Sequence, residues 1–573
     1  MRTYLGGTIA TAEVTYIYDS ATNGKGRLSS VAAAGVSTYN YTAYDAVGRV
    51  TACNQATTGG STYTMSATYN LAGLMVDETY PSTKVIHTEY DDAGRVAGVK
   101  NAANTNYYAG ALASDSDNRI QYAGHGAVSA MKLGNNLWEK TSFNTRLQPT
   151  QIRLGTSSAP SSVVQLDHTY GVMVGGNLDT TQNNGNIQSQ TVTVGTNIIK
   201  QSYNYDRVNR LLSAAETYNQ AARWTQTYTF DQVGNRTALS NTGIDVLPTT
   251  STPAVSSSTN RISATGYVYD NAGNLKDEPA VLNKHYKYDG ENRLVDFNSG
   301  AVQYVYDGDD RRVKKIEAAS PTRTTVFVYN PGGQLIAEYT SDPVPPPAGG
   351  GGTSYLTTDH LGSTRVVTGT NPTPPVKARY DYLPYGEEIP STVGGRGNVG
   401  GYGGADSSRH KFTQKERDSE SGLDYFLARY YSSAQGRFTS TDPVIVTPER
   451  FRDPQQFNLY AYTRNNPLRL VDPTGKILTI SGDVDEAYRQ LIYILGGEPD
   501  EAAQRISYNE KTNTITVDPS GIDLTKNEGA ALLNDLVGSK NRYDLSVGSS
   551  VETIGGNISL ILKIGETGVA ETW

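Results

Sequence analysis

A short segment recurs along this chain, and it constrains the possible fold more than any other feature. It consists of an aromatic residue, Asp, two variable residues, Gly or Asn, Arg or Asn, and an aliphatic residue. Examples are Ala43–Val50 (AYDAVGRV), Glu89–Val96 (EYDDAGRV) and Lys287–Leu294 (KYDGENRL). A unit of this size cannot bury an apolar face by itself, so neighbouring units must stack. The chain is therefore predicted to form one extended structure from many similar hairpins.

The residues of each repeat predict a strand, a tight turn and a second strand. Alternating stretches such as 267–269 (YVY) suit a strand. The Asp that follows can cap a turn, and Gly or Asn three residues later accepts the positive φ that such turns require. We interpret the repeat aspartates as turn caps and not as a metal array: Asp45, Asp91, Asp206, Asp231, Asp270, Asp289 and Asp307. The repeat arginines are predicted to pack between sheets or to form ion pairs: Arg49, Arg95, Arg210 and Arg293.

Composition supports extensive β-sheet and disfavours several partners. The chain has 40 Tyr against 9 Phe and 3 Trp, and tyrosine favours strands with one apolar flank. The formal net charge of −8 disfavours nucleic acid and anionic lipid as partners. Cys53 is the single cysteine, so an internal disulfide or a cysteine metal cluster is excluded. The sequence contains no apolar run that suits a signal peptide or a membrane-spanning helix.

Other stretches depart from the repeat. Residues 101–200 carry degenerate copies, which we predict to extend the same sheet with irregular turns. Pro- and Gly-rich tracts begin at Ser341 and at Val393, and such tracts are usually exposed, mobile loops. From 477 onward tyrosine becomes sparse, and alternating strand and helix patterns predict a small α+β segment.

Four further segments carry a resemblance to a known family. They are YLTTDHLGSTRVV (Tyr355–Val367), RYDYLPYGE (Arg379–Glu387) and a long run from Phe412 to Pro443, and NLYAYTRNNPLRLVDPTG follows at Asn458–Gly475. The repeats resemble the YD repeats of Rhs, Tc-toxin and teneurin-like proteins, and 355–475 resembles the Rhs repeat-associated core. We therefore divide the chain into a YD-repeat β-shell (1–340), a Pro/Gly-rich loop (341–354), the Rhs core (355–476) and a variable α+β segment (477–573). We expect sequence to be missing upstream.

The resemblance implies a mainly β fold in which repeat hairpins spiral into a hollow shell that the core closes. It implies that 477–573 occupies the position of an enclosed cargo, often a toxin. The partners expected are this C-terminal segment, a secretion or toxin-complex component and an immunity protein. No cofactor and no metal are expected. Export by a route without a signal peptide, from the cytoplasm to the outside or the cell surface, would follow.

The resemblance also suggests a catalytic pair. Many family members release the cargo with two aspartates in DPxG motifs, which match Asp442 (TDPVIV) and Asp472 (VDPTGK) here. Two close carboxylates can share a proton, so that one activates water while the other protonates the peptide. The first motif lacks its Gly, the spacing is long, and Lys476 stands where Leu commonly marks the cut. The alternative, that both aspartates only cap turns, stays open.

Two rival functions also stay open. Exposed tyrosine faces could bind carbohydrate on a cell surface, or 477–573 could be a toxin enzyme. No His or Cys follows His410, which excludes HNH nucleases, zinc deaminases and Cys–His hydrolases within this tail. The tail carboxylates match no motif and are interpreted as solvated charge: Asp483, Asp485, Glu486, Asp518 and Asp523. The segment DHLGSTR, with Asp359, His360 and Arg365, is interpreted as structural.

Overall fold

A computed structural model describes most of the chain. The described residues are 14–341 without 104, 176, 250 and 280, then 352–370, 376–404, 408–443 and 454–476. Beyond 476 it describes the backbone of short strands only. The described residues form antiparallel strands and short 3₁₀ turns, with no α-helix among them. The predicted mainly β fold is confirmed.

The first sheet holds nine strands in sequence order. Its strands are β1 (Val14–Tyr18), β2 (Leu28–Ala33), β3 (Ser37–Tyr44), β4 (Val50–Thr57), β5 (Thr62–Tyr69), β6 (Met75–Thr79), β7 (Val85–Tyr90), β8 (Val96–Asn101) and β9 (Tyr107–Gly110). Every neighbouring pair is an antiparallel hairpin. The sheet therefore grows by one hairpin after another, as the repeat predicts.

The second sheet holds ten strands, and it includes most of the degenerate region. Its strands are β10 (Gln121–Tyr122), β11 (Val128–Lys132), β12 (Trp138–Phe143), β13 (Pro149–Gly155), β14 (Val164–Tyr170), β17 (Ile187–Val194), β18 (Asn197–Tyr205), β19 (Leu211–Tyr218), β20 (Ala221–Phe230) and β21 (Arg236–Gly243). A small hairpin interrupts the order, with β15 (Val172–Val174) and β16 (Asn177–Asp179). The degenerate repeats thus keep the hairpin order of the clear ones.

The remaining repeats form a two-stranded and a six-stranded sheet. Their strands are β22 (Val268–Tyr269), β23 (Leu275–Asp277), β24 (Tyr286–Tyr288), β25 (Leu294–Phe297), β26 (Val302–Tyr306), β27 (Arg312–Glu317), β28 (Arg323–Tyr329) and β29 (Leu335–Thr340). Pro- and Ser/Thr-rich sequence at 248–259 precedes them, and proline cannot donate to a sheet ladder. The wall is therefore built of successive sheets and not of one uninterrupted sheet.

Residues 352–476 form smaller sheets with extensive buried loops. The strands are β30 (Ser354–Thr358), β31 (Thr364–Gly369), β32 (Val376–Arg379), β33 (Glu416–Asp418), β34 (Leu423–Tyr425), β35 (Tyr430–Ser432), β36 (Arg437–Phe438) and β37 (Leu470–Val471). β37 pairs with β38 (Thr479–Ile480). The short 3₁₀ turns are Thr180–Gln182, Arg396–Asn398, Phe412–Gln414, Pro454–Phe457 and Thr463–Asn465.

The described strands from 506 to 564 form three antiparallel pairs. The strands are β39 (Ile506–Asn509), β40 (Thr514–Val517), β41 (Tyr543–Leu545), β42 (Glu552–Ile554), β43 (Asn557–Ser559) and β44 (Leu562–Ile564). The pairs are the hairpins β39–β40 and β42–β43, and β41 with β44, which pair across β42 and β43 in the sequence. The strand predicted in the stretch NTITVDPSGIDL agrees with β40. The two predicted helices of this segment lie outside the described residues.

Each repeat turn has the predicted geometry. The Asp91 N–H donates to the carbonyl of Arg95, and its Oδ1 accepts from the N–H groups of Ala93 and Arg95. Gly94 follows with φ of 75°, a conformation that few other residues adopt easily. The interpretation of the repeat aspartates as turn caps is confirmed, because all seven make the same bond to the residue four positions later.

The repeat tyrosine ties each hairpin to the preceding turn. The Tyr122 hydroxyl donates to the carbonyl of Val96 at 2.8 Å, and the Arg95 guanidinium lies 4.7 Å from the centre of its ring. The same pair of contacts joins Tyr69 to Val50 and to the guanidinium of Arg49. A ring that packs under a cation while its hydroxyl finds an acceptor explains why this position favours tyrosine.

The six-stranded sheet lies against the first sheet. The Gln55 side chain donates to the carbonyl of Phe327 at 2.7 Å, and Asn330 donates to Glu78 at 3.0 Å. Tyr39, Cys53, Met65, Val326 and Val328 are among the side chains that share a buried apolar cluster there. Repeats far apart in the sequence are thus brought together, so the wall of strands curls back on itself.

The glycine-rich tract that begins at Val393 is exposed only in part, so the prediction of an exposed loop is wrong for its first residues, although Gly397, Asn398 and Gly400 are exposed. Val393, Arg396 and Val399 are buried. Gly394 and Gly395 have positive φ, and a Cβ on Gly394 would lie 2.0 Å from a carboxylate oxygen of Glu216. The glycines therefore let the backbone approach Glu216 closely. The other tract, which begins at Ser341, lies mostly outside the described residues.

None of the helical turns in the described part of the chain is long and apolar enough to cross a membrane.

Candidate functional site

Asp442 is positioned by contacts between β36 and the segment that follows residue 457. The N–H of Phe438 donates to the carbonyl of Tyr460 at 2.9 Å, and the N–H of Asp442 donates to the carbonyl of Leu459 at 3.0 Å. These two bonds fix the backbone from Phe438, at the end of β36, to Asp442. That side chain is 14% exposed.

Asp472 lies in the turn directly after β37. Its Oδ1 accepts from the N–H groups of Thr474 at 3.2 Å and Gly475 at 2.7 Å. This is the Asx turn that the structural alternative predicts for this residue. Because β37 pairs with β38 (Leu470 with Ile480 and Val471 with Thr479), Lys476 lies in the connection between two paired strands.

The two predicted aspartates meet on one buried guanidinium. Nη2 of Arg429 lies 3.2 Å from Oδ2 of Asp472 and 3.5 Å from Oδ2 of Asp442. Nη1 donates to the carbonyl of Leu459 at 3.0 Å, and Nε donates to the carbonyl of Gly475. One cation therefore contacts both carboxylates and the peptide carbonyl that precedes Lys476.

The sequence reasoning missed Arg429. It stands in the segment FLARYY, which contributes to the family resemblance, but nothing in its spacing relates it to either aspartate. The side chain is 4% exposed, and its guanidinium carbon lies 3.6 Å from the centre of the Phe438 ring. A buried arginine needs carboxylate partners. This requirement is the one signal that could have linked Arg429 to Asp442 and Asp472.

Gly475 is required by the turn. It has φ of +73°, and an added Cβ would lie 2.7 Å from the carbonyl oxygen of Phe426. The N–H of Ala428 also donates to the carbonyl of Thr474 at 3.1 Å. The turn is therefore pressed against the backbone that leads to Arg429, which explains why the motif has glycine at this position.

The surroundings of the site combine a second cation with an aromatic cluster. The Lys415 ammonium donates to the carbonyl of Pro473. Burial lowers the pKa of Lys415, and the charge of Asp472 acts in the opposite direction. Burial, and then the charge of Asp472, raise the pKa of Tyr462. Its ring belongs to a buried cluster with Phe426 and Phe438. The Asp442 and Asp472 carboxylates thus lie at the edge of a buried apolar cluster.

This arrangement has the parts that acid–base chemistry on a peptide needs. Two carboxylates can exchange protons with water and with a leaving nitrogen. A guanidinium bonded to a carbonyl oxygen stabilises the negative charge that develops there when the carbonyl is attacked. The carbonyl that Arg429 contacts belongs to Gly475, beside the predicted cut near Lys476.

The other motif singled out in the sequence forms a structural network. Asp359 caps a turn by accepting from the N–H groups of Leu361 and Ser363. Arg365 pairs with Asp359 and with Asp381, and all three side chains are buried. His360 contacts the carbonyl of Leu468 at 2.8 Å. These contacts agree with the structural interpretation of DHLGSTR. The tail carboxylates from Asp483 to Asp523 lie outside the described residues.

Comparison with curated proteins finds several relatives of part of the chain. It is 28% identical over 218 residues to the tRNA3(Ser)-specific nuclease WapA of Bacillus spizizenii, an alignment that covers 36% of this chain and 8% of that protein. It is 43% identical over 65 residues to toxin subunit YenC2 of Yersinia entomophaga, covering 11% of this chain and 6% of that protein. Salivary gland surface protein 1 of Aedes aegypti is 35% identical over 138 residues, covering 23% of this chain and 3% of that protein.

Comparison with solved structures finds the same fold in Tc-toxin proteins. The crystal structure of TcdB2–TccC3–Cdc42 matches with a TM-score of 0.62 and 18% identity, over 81% of this chain and 25% of that chain. A structure of the Photorhabdus luminescens Tc holotoxin pore matches with a TM-score of 0.63 and 17% identity, over 82% of this chain and 25% of that chain. The chain therefore has the β fold of Tc-toxin proteins.

No protein-family model matches the chain. The sequence relatives and the fold support the resemblance to Rhs/YD-type toxin proteins. The chain spans less than a tenth of the curated relatives and about a quarter of the matched structures. The division into four segments and the assignment of 355–476 as the Rhs core stay predictions.

Proposed function

We propose that this chain is part of the shell of an Rhs-type toxin, and that it encloses its C-terminal segment and releases it by self-cleavage near Lys476. The observation that carries this proposal is the contact of Asp442 and Asp472 with Arg429 beside the Gly475 carbonyl. A turn cap at Asp472 alone requires neither a second carboxylate nor a buried cation.

In the proposed reaction, a water molecule is split across a peptide bond next to Lys476. One carboxylate takes a proton from water, whose oxygen attacks the carbonyl carbon, and the other carboxyl group, which starts protonated, gives its proton to the departing nitrogen. The Arg429 guanidinium stabilises the charge on the carbonyl oxygen as the carbon–nitrogen bond breaks. The products are a new carboxylate and a new amine, and no cofactor takes part in this step.

The pairing of β37 with β38 gives this proposal a specific consequence. Leu470 pairs with Ile480 and Val471 with Thr479, so a cut near Lys476 falls in the turn between paired strands. The two pieces would remain joined by backbone hydrogen bonds after the cut. We infer that cleavage frees the C-terminal segment covalently while it is still held in place.

Enclosure is supported by the fold and by the packing of the core against the repeats. The chain has the fold of Tc-toxin proteins over about four fifths of its length. Core residues reach the repeat strands through buried bonds, such as Arg236 to the carbonyl of Gln435 at 2.9 Å and Asn466 to Asn186 at 2.8 Å. We infer that the repeats form a wall and that the core closes it.

The partners proposed follow from the toxin relatives. Since TccC3 is found with TcdB2 in the matched crystal structure, we infer that this chain also joins a toxin-complex component. Its own C-terminal segment is the proposed cargo, and an immunity protein and export without a signal peptide belong to the same proposal.

The carbohydrate-binding alternative has less support. Sugar binding of this kind requires exposed aromatic faces, but Tyr16 and Tyr18 are the tyrosines that are clearly exposed in the described part of the chain. Most repeat tyrosines pack under arginines and donate hydrogen bonds to the backbone. The tail-enzyme alternative concerns residues whose side chains are not described, and it stays open.

Self-cleavage can be tested on the purified full-length chain. We expect a denaturing gel to show a fragment of about 10 kDa with a new N terminus at Lys476 or the following residue, and Asp472→Asn to slow its release by at least about 100-fold. Native size-exclusion chromatography should still show one species, because the β37–β38 pairing persists.

Three variants separate the catalytic role from the structural one. Asp442→Asn removes a carboxylate without touching the Asx turn, so it should block cleavage while the melting temperature changes little. Arg429→Lys keeps a charge but loses the planar guanidinium that reaches two carboxylates and two carbonyls, and should also block cleavage. Asp206→Asn alters a remote repeat turn and should leave cleavage intact. A chain that never splits, or that splits equally well as Asp442→Asn, would refute the proposal.

A further inference from the structure

A small pocket with both polar and apolar lining lies between the second repeat sheet and the core. Its walls include the turn 234–236 from the repeats, Thr252 and Ile262 from the connecting segment, and 435–437 with Asn458 from the core. Its free volume is about 20 Å³, which is room for one water molecule or one ion of similar size. None of the proposed cleavage residues lines this pocket.

Two buried arginines line this pocket, one from the repeats and one from the core. Arg236 from β21 and Arg437 from β36 both line it, and each is 8% exposed. Arg236 donates to the Thr252 hydroxyl and to two core carbonyls, at Ala434 and Gln435. Arg437 donates through Nη2 to the carbonyl of Asn260. Within the described residues, neither guanidinium lies within ion-pair distance of a carboxylate, whereas the buried Arg365, Arg396 and Arg429 each contact one.

Arg437 has an unused donor in this setting. Its Nε is buried and has no hydrogen-bond partner in the described residues. The carboxylate that influences it, Asp231, is already occupied, because it accepts from the N–H groups of Val233 and Asn235 and from the Asn235 side chain. A buried donor on a charged group is costly to leave without an acceptor.

The electrostatics favour an anion at this position. Burial lowers the pKa of Arg437 and so does the neighbouring charge of Arg236, while Tyr269, Tyr460 and the Asp231 carboxylate act in the opposite direction. Arginine nevertheless stays protonated in proteins, so two like charges are held near each other away from water. Such a pair is destabilising unless a negative charge lies close to both.

We propose that this pocket binds one chloride ion between Arg236 and Arg437. The volume admits a single ion of about the size of water, whereas phosphate or sulfate needs room for four oxygen atoms. A chloride ion accepts from N–H donors without fixed geometry, so it can take the free Nε of Arg437. The ion would join the repeat wall to the core, because the two arginines belong to these two parts of the molecule.

The direct test is diffraction from crystals of the intact chain grown with bromide in place of chloride. We expect an anomalous difference peak in this pocket, within hydrogen-bond distance of Nε of Arg437. The proposal is overturned if the pocket shows no peak while bromide is found elsewhere on the protein. This measurement uses the wild-type chain, so it does not depend on any variant folding.

A solution test uses thermal unfolding in chloride and in gluconate at equal ionic strength, since gluconate is too large for the pocket. We expect chloride to raise the wild-type Tm by roughly 1–3 °C and the rise to saturate. Arg437→Gln should abolish the difference, and Arg95→Gln, which alters a distant repeat turn, should preserve it. Equal Tm values for the wild type in both salts, or an undiminished difference in Arg437→Gln, would contradict chloride binding here.

Discussion

The hydroxyl group of the repeat tyrosine has a defined acceptor. Tyr122 donates to Val96 at 2.8 Å, and Tyr306 donates to Leu294 at 2.8 Å. The acceptor in each case directly follows the arginine of the preceding repeat. Phe230 occupies the same position in one repeat and keeps the contact with the Arg210 guanidinium at 5.1 Å. The ring contact is therefore shared by both residue types, and the hydrogen bond is what tyrosine adds.

Removing one such hydroxyl should have a measurable effect on stability. We expect Tyr122→Phe to lower the free energy of unfolding by about 0.5–1.5 kcal/mol, because the Val96 carbonyl loses its donor while the ring still packs under Arg95. Chemical denaturation measures this change. Tyr18→Phe, at an exposed ring, is the matched control and should change stability by less than about 0.5 kcal/mol. Equal effects would mean that the hydroxyl bond contributes nothing.

At the scale of the hairpin, the sequence predicts the turns well because every determinant is local. Asp91, Gly94 and Arg95 lie within five residues, and the hydrogen bonds that the Asp91 side chain accepts come from Ala93 and Arg95 of the same turn. The next contact, from Arg95 to the ring of Tyr122, crosses to another hairpin. Its register depends on how the strands pair, so the repeat pattern alone indicated an ion pair or packing role and not the partner.

The chain itself supplies a test of the turn geometry. Gly94 has φ of 75°, whereas Asn209 and Asn292 hold the same position in other repeats with φ of 64° and 62°. We expect Gly94→Ala to destabilise the protein by about 1–2 kcal/mol, since alanine disfavours this conformation. Gly94→Asn should cost clearly less, because asparagine visits it more readily. Urea denaturation distinguishes the two, and identical losses would show that the backbone conformation is not the cause.

The candidate site was only partly predictable for a related reason. The motifs pointed to Asp442 and Asp472, but their meeting depends on the pairing of 458–460 with 438–442, which no local pattern specifies. The buried start of the glycine-rich tract at Val393 was missed because its role depends on Glu216, which lies far away in the sequence. Local turn chemistry is visible in a sequence, whereas contacts between distant segments are not.

At the scale of the whole molecule, buried ion pairs join residues of the 355–476 segment to the repeat strands. Arg312 from β27 pairs with Asp418 at 2.6 Å and with Glu416 at 2.7 Å. Arg396 pairs with Glu216 at 2.7 Å. All these side chains are buried, so removing one partner leaves a charge without compensation. The 355–476 segment is therefore attached to the repeat strands by specific ion pairs as well as by apolar packing.

The contact between wall and core should also depend on pH. His168 from β14 is buried and His360 from the core is partly buried, and their ring centres lie 4.5 Å apart. Burial lowers the pKa of both, the charge of Arg365 lowers both further, and Asp359 raises that of His360. The folded protein thus favours neutral rings. Their contribution to stability is complete above about pH 6.5 and is lost as the pH falls below it, because the unfolded chain binds the protons.

Thermal unfolding at pH 7.5 and pH 5.5 checks this dependence. We expect the wild type to lose more stability on acidification than His360→Asn does, since the variant removes one of the two groups. Burial raises the pKa of Asp418 to about 6, which adds stability as the pH falls and acts equally in both proteins. His285→Asn, at a half-exposed ring, should behave like the wild type. If His360→Asn loses as much stability on acidification as the wild type, the His168–His360 pair does not cause the pH dependence.

Enclosure of the C-terminal segment is the central claim, and protease accessibility measures it most directly. A recognition site for a sequence-specific protease would be placed within 477–573 of the Asp472→Asn chain, and the same site would be placed at the exposed turn of Leu71 in a second chain. We predict that the native protein is cut at least about tenfold more slowly at the C-terminal site, and that the difference disappears after denaturation. Equal rates of cutting in the native state would contradict enclosure.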